Sequence, residues 1–162
     1  MVSPPLRTPR AEDAVVLAGL FTDPIVRRYL GGPRSSAQAQ SSALRLVAAN
    51  REFPAWVVEQ PGVPNAVGFV SLDRHHDGQE VEVSFVLRPE AQGAGLGRAA
   101  VAAALMEAWE LRLECVVAET QAANARSVQL LMALGFSAER EITRFGAAQV
   151  LFKVQRPRSD AA

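Results

Sequence analysis

The chain has 162 residues, the usual size of one domain and long enough to bury a core without disulfides. Its 17 basic residues balance 17 acidic ones, so net charge steers it toward neither nucleic acid nor an anionic membrane. The lone cysteine, Cys115, cannot close an internal disulfide; its apolar neighbours mark it as a buried thiol.

Residues 1–10 are proline-rich and read as an extended lead-in with room for a short edge strand. Residues 11–21 follow with helical spacing, Val15, Leu17, Ala18 and Phe21 forming the apolar side. Asp23-Pro24 then offers a cap and a first helical residue, predicting a second helix that Gly31-Gly32-Pro33 ends. Its apolar side would be Ile25, Val26, Tyr29 and Leu30. Ser35 or Ser36 can cap a third helix reaching about Ala49, with Ala43, Leu44 and Val47 inward.

The period then changes from helical to alternating. Segments 53–59, 66–72 and 80–87 read as three strands of an antiparallel meander, joined by turns at 61–65 and 73–79. In the third, Glu82, Ser84 and Val86 share one face, and Val83, Phe85 and Leu87 the other. A helix over 95–111 follows, then a strand over 113–119. That strand-helix-strand crossover makes its two strands parallel neighbours. Asn124 or Ala125 opens a last helix, with Val128, Leu131 and Leu134 inward and Gly135 closing it. Segments 137–145 and 149–154 form a hairpin around Gly146. The expected class is α+β: a mixed, mostly antiparallel sheet flanked by helices. One domain over 1–156 and a frayed tail over 157–162 are expected. The first residues lack an apolar export stretch and no run is long enough to span a bilayer, so the cytoplasm is the expected compartment.

Chemistry concentrates between the third strand and its helix. Gln92-Gly93-Ala94-Gly95-Leu96-Gly97-Arg98 places three glycines at a strand-to-helix junction. There the first helical turn leaves backbone amides unpaired, and missing Cβ atoms let a pyrophosphate approach them. The loop lacks the Gly-Lys-Ser/Thr ending of a nucleotide P-loop. It also lacks the repeated strand-helix setting of a dinucleotide fold. His75 and His76 adjoin Asp73 and Asp77 in a polar turn; adjacent turn residues are not expected to converge on one ion, so no metal site is expected.

Gln92-x-x-Gly95-x-Gly97 resembles the acyl-CoA loop of the GNAT family of N-acetyltransferases. The segment from Glu82 to Glu90 resembles that family's fourth strand. The run from Asn124 through Ser127 to Gly135-Phe136 is similar to its ribosomal-protein N-terminal acetyltransferase-like branch. The resemblance implies the GNAT fold, with a splay between the fourth and fifth strands. It implies transfer of acetyl from acetyl-CoA to a primary amine by direct attack (EC 2.3.1.-), without a metal. It places the pyrophosphate on Gln92, Gly93, Ala94, Gly95, Leu96, Gly97 and Arg98. The pantetheine arm would lie along Phe85, Val86 and Leu87, with Asn124 and Ser127 by the pantetheine and thiol.

The attacking amine must lose a proton, and two carboxylates are candidates for the base, Glu82 and Glu119. Many relatives carry a Tyr seven residues after the Asn to protonate the thiolate; Leu131 stands there, leaving Ser127 as the hydrogen-bond donor. The acceptor, a protein N-terminus or a small amine, would be chosen by the N-terminal helices and by loops near 34–51 and 136–149. Tyr29 either lines that acceptor cleft or packs into the core. The chain would act as a monomer or a homodimer. The other readings are a non-catalytic acyl-CoA-binding or regulatory protein on the same fold, and a plain interaction domain.

Overall fold

A computed structural model describes residues 5–159. In chain order the elements are β1 (Leu6–Arg7), α1 (Asp13–Thr22), α2 (Ser36–Val47), β2 (Ala55–Val58), β3 (Gly68–Arg74), β4 (Val81–Leu87), α3 (Leu96–Glu110), β5 (Cys115–Gln121), α4 (Ala125–Ala133), β6 (Ser137–Arg144) and β7 (Ala147–Gln155). The strands form one seven-stranded sheet in the order β1-β2-β3-β4-β5-β7-β6. All pairs are antiparallel except β4 with β5. The expected α+β class, meander, crossover and terminal hairpin are all present. Of the expected tail, 157–159 lack regular structure; 160–162, like 1–4 of the lead-in, lie outside the described residues.

Two apolar clusters cover the two faces of the sheet. Alternation on β4 divides them: Val81, Val83, Phe85 and Leu87 join α3 and α4, while Val86 joins α1, α2 and Phe69. The helix α3 packs through Ala100, Val101, Ala104, Leu105 and Ala108, all buried. Small residues there let the helix lie close to the sheet, and each buried leucine or valine adds roughly 1.5–3 kcal/mol.

The N-terminal third departs from the sequence reading. Asp23 does cap, its Oδ1 accepting from the amides of Ile25 and Val26 at 2.8 and 3.1 Å, but no helix propagates and 24–31 form a run of turns. The buried Arg27 guanidinium binds the carbonyls of Leu30 and Gly32, so a side chain satisfies groups that a helix would satisfy internally. Gly31 and Gly32 both follow with positive φ. In α1, Val15 is 81% exposed and Leu20 is buried instead. In α2, Leu44 is 60% exposed and the inner stripe is Ala39, Ser42, Ala43 and Leu46. Ser35, not Ser36, caps α2, in a reciprocal box with Gln38. Cys115 is half-buried rather than core: it starts β5, and its thiol donates to Glu80 Oε2 at 3.2 Å.

Candidate functional site

The parallel strands β4 and β5 are joined at one register position, Glu82 with Val117. Beyond it β4 continues to Leu87 and β5 to Gln121 without further pairing. The gap opens a cavity of about 980 Å³. Phe85, Val86, Leu87 and Glu119 stand in its walls. One end meets the glycine-rich loop and the start of α4; the other reaches Tyr29, Phe69 and α2.

At the first end the loop is shaped by two glycines. Gly93 (φ +87°) and Gly95 (φ +79°) adopt backbone angles that L side chains rarely reach, and a Cβ on either would point into open space. Gly95 directly precedes α3, whose first-turn amides have no helical acceptor. An anionic group therefore finds free donors, the positive end of a helix dipole and no side chain in the way. Gly97 serves packing instead. A Cβ there would sit 3.2 Å from Leu87 Cδ1 and 3.3 Å from Leu130 Cδ1, so its absence lets α3 start against β4 and α4. Gln92 ties the loop down, donating to Leu87 O at 3.1 Å and accepting from Arg126 at 2.9 Å. Gly93, Gly95, Gly97, Gln92 and Arg98 line the cavity; Ala94 and Leu96 do not, and Leu96 packs on the core. Asn124 and Ser127 line it too. Asn124 also caps α4, its Oδ1 accepting from the Ser127 amide at 3.3 Å.

At the centre the two candidate carboxylates meet. The Glu119 amide donates to Glu82 Oε2 at 3.2 Å. Glu119 lines the cavity, and Glu82 is not among its lining residues. Glu82 Oε1 has no protein hydrogen-bond partner, and no buried side-chain nitrogen or oxygen is left unsatisfied among the described residues, so that oxygen is not fully enclosed. Burial, reinforced by the neighbouring Glu119 charge, pushes the Glu82 carboxyl up to about 7. Glu119 is the reverse case. Burial works against its charge, but hydrogen bonds from His75, His76 and Arg144 outweigh it and hold its carboxyl below the usual range.

Those histidines correct the sequence reading of the 73–79 turn. His75 Nε2 and His76 Nε2 both lie 2.7 Å from Glu119 Oε2, and the rings tilt together with centroids 4.0 Å apart. A strand would send neighbours to opposite faces; the tight turn, closed by Gly78 N on His75 O at 2.7 Å, sends both to one side. The three groups have the composition of a metal-ligand set. Their separations are those of direct hydrogen bonds. His75 is only 2% exposed. Burial opposes its charge, but Glu119 and Asp77 prevail and raise its pKa. Asp77 is held by Arg140 in turn, at 3.0 Å. No spacing in the sequence announces this chain of contacts, because turn, β5 and β6 meet only in the folded sheet. Arg126 sits inside the Asn124–Ser127 motif, and its place in the cavity wall and its contact with Gln92 mark it as part of the site.

At the far end, Tyr29, Arg34, Ser42, Arg45 and Arg51 line the cavity. No residue of the loop at 136–149 does so among the described residues; from there only Arg144 reaches inward, to Glu119 at 3.3 Å. The turn between β6 and β7 instead leaves Phe145 64% exposed. Leu131 is fully buried and faces the core.

Residues 5–137 match the family model described as an acetyltransferase (GNAT) domain. Solved structures with the same fold include the ribosomal-protein-alanine N-acetyltransferase of Brucella melitensis, 23% identical, with a TM-score of 0.77 over 93% of this chain and 99% of that one. The yncA protein of Salmonella typhimurium, solved with acetyl-CoA, is 22% identical, with a TM-score of 0.73 over 97% and 98%. The spermidine N-acetyltransferase of Vibrio cholerae, solved with CoA and spermine, is 20% identical, with a TM-score of 0.77 over 93% and 94%.

Proposed function

The chain belongs to the GNAT acetyltransferase family, and from that premise we propose that it transfers an acetyl group from acetyl-CoA to a primary amine. The observation that carries this reading is the β4–β5 splay, joined only at Glu82–Val117 and opening a cavity from the glycine loop to α2 with Glu119 in its wall. Acetyl-CoA supplies the activated acetyl thioester. The residues fit it: Gly93 and Gly95 leave a cradle over free amides, and Arg98 and Arg126 add positive charge at that end. Phe85–Leu87, left without a β5 partner, offers strand edge groups to an extended arm.

Glu82 is the general base in this proposal. Its near-neutral pKa suits proton uptake at physiological pH; Glu119 and not Glu82 lines the cavity, so in this proposal water carries the proton to Glu82. Glu119, locked by two imidazoles and a guanidinium, is a weak proton acceptor and instead orients the incoming amine. Ser127 lines the cavity from the first turn of α4, and in this proposal its hydroxyl donates to the departing thiolate. A continuous thiol-release assay with acetyl-CoA and primary amines tests the reading. Amine-dependent release supports it. Tight binding of acetyl-CoA with no release from any amine contradicts it and matches the non-catalytic alternative.

A further inference from the structure

The far end of the cavity is lined by five arginines, Arg27, Arg28, Arg34, Arg45 and Arg51. Two of them are already committed. Arg51 binds Asp73 at 2.7 Å, and Arg27 holds backbone carbonyls of the 24–32 turn. Arg28, Arg34 and Arg45 have no carboxylate partner among the described residues. Arg34 and Arg45 nonetheless converge: both reach the Ser42 hydroxyl, at 2.5 and 3.4 Å. Arg34 also lies 5.3 Å above the Phe21 ring, which takes it partly out of water. The two acids on the cavity wall are already engaged: Asp73 pairs with Arg51, and Glu119 pairs with Arg144 and hydrogen-bonds His75 and His76.

Two guanidiniums held on one hydroxyl repel each other, and the Phe21 face, though it attracts Arg34, supplies no negative charge to cancel that repulsion. An anion between them removes it, and guanidiniums recognise carboxylate and phosphate oxygens through paired donors. The same field disfavours an acceptor carrying a second ammonium. Building on the acetyltransferase reading, we infer that the acceptor is a small primary amine that also bears an anionic group, a carboxylate or a phosphate. Arg34 and Arg45 grip the anion, Arg28 adds to the field, and the amine end reaches toward Glu119 and Glu82.

A kcat/KM series tests this, with amines of matched length whose far end is a carboxylate, a phosphate, a hydroxyl or an ammonium. The carboxylate or phosphate amine is expected to exceed the hydroxyl and ammonium amines by roughly tenfold or more, the range of a charge-assisted hydrogen bond. The two anionic arms tell which anion is recognised. Arg34→Gln and Arg45→Gln are expected to raise KM for the anionic amine with little change in kcat and none in acetyl-CoA affinity by calorimetry. Arg45 is exposed on α2, so its variant separates recognition from folding if Arg34→Gln is unstable. Equal or better use of the ammonium or hydroxyl amine overturns the inference while leaving acetyl transfer standing. So does a loss of acetyl-CoA affinity in the arginine variants, which would assign them to the donor. Acetyl-CoA binding with no release from any amine overturns both.

Discussion

Glu82 and Glu119 carry the same side chain and touch through one hydrogen bond, yet their surroundings hold the first near neutral and keep the second firmly ionised. The direction for Glu82 fixes a pH dependence. Below about 7 it is protonated and cannot accept the amine proton, so kcat/KM should rise with pH through about 7. The amine's own deprotonation adds a second rise toward about 10. Glu82→Gln should lower kcat/KM by roughly 100-fold at neutral pH and erase the first rise while keeping the second. A pH profile of the variant that retains both would remove Glu82 from the role. Linkage gives an independent readout. The folded protein holds the Glu82 proton up to about 7 while the unfolded chain releases it near the ordinary value of 4.5. Stability therefore falls as pH rises through that window, and Glu82→Gln should unfold at higher urea than wild type at pH 8, with the difference shrinking at pH 4.

Single contacts also decide how elements meet. Gly68 begins β3 opposite Leu87, and a Cβ there would sit 2.1 Å from Val86 O. Gly68→Ala must push β3 off the end of β4, where the cavity begins. A loss of about 1–3 kcal/mol, the range of an overpacked site, is expected in denaturant unfolding. Unchanged stability would show that the strands separate freely there. At the start of α1, the Asp13 carboxylate accepts from Arg7 Nη1 and Nη2, at 2.8 and 2.9 Å, and from the Arg10 amide at 2.6 Å. This clamps β1 to the helix whose Phe21 lines the far end of the cavity. The Arg7 hydrogen bonds, resisted by burial, hold the Asp13 carboxyl below its usual range. Its contribution is thus present above the ordinary aspartate value and lost as pH falls through the folded one. Asp13→Asn should cost about 1–3 kcal/mol at pH 7 and progressively less as pH is lowered through the acid range. An equal loss throughout would assign the effect to packing instead.

Across the whole molecule, legibility follows the range of the interactions. The meander, the crossover, α3 and the hairpin are written in local periodicity and turn residues, so their positions are readable from sequence. Gly93, Gly95 and Asn124 are readable for the same reason, since a positive φ or a cap is a local demand. The turns at 24–31 are not, because Arg27 settles them by reaching across five residues to Gly32. The His75–Glu119 contact joins positions 44 apart and depends on how the 73–79 turn folds over β5. The arginine end of the cavity likewise exists only once α2 lies beside Phe21 and β3. Under the proposed function, the β4–β5 seam, paired at one register position, opens the cavity that would take acetyl-CoA at the glycine-rich loop and the amine toward α2. Isothermal titration of the intact protein with acetyl-CoA, alongside Gly95→Val, addresses that seam most directly. One molecule should bind per chain, and the substitution, which strains a φ of +79° and fills the open cradle, should weaken binding roughly tenfold or more, about 1.4 kcal/mol. No heat with the intact protein, or equal affinity in the variant, would contradict the assignment of the cavity and its glycine loop to acetyl-CoA.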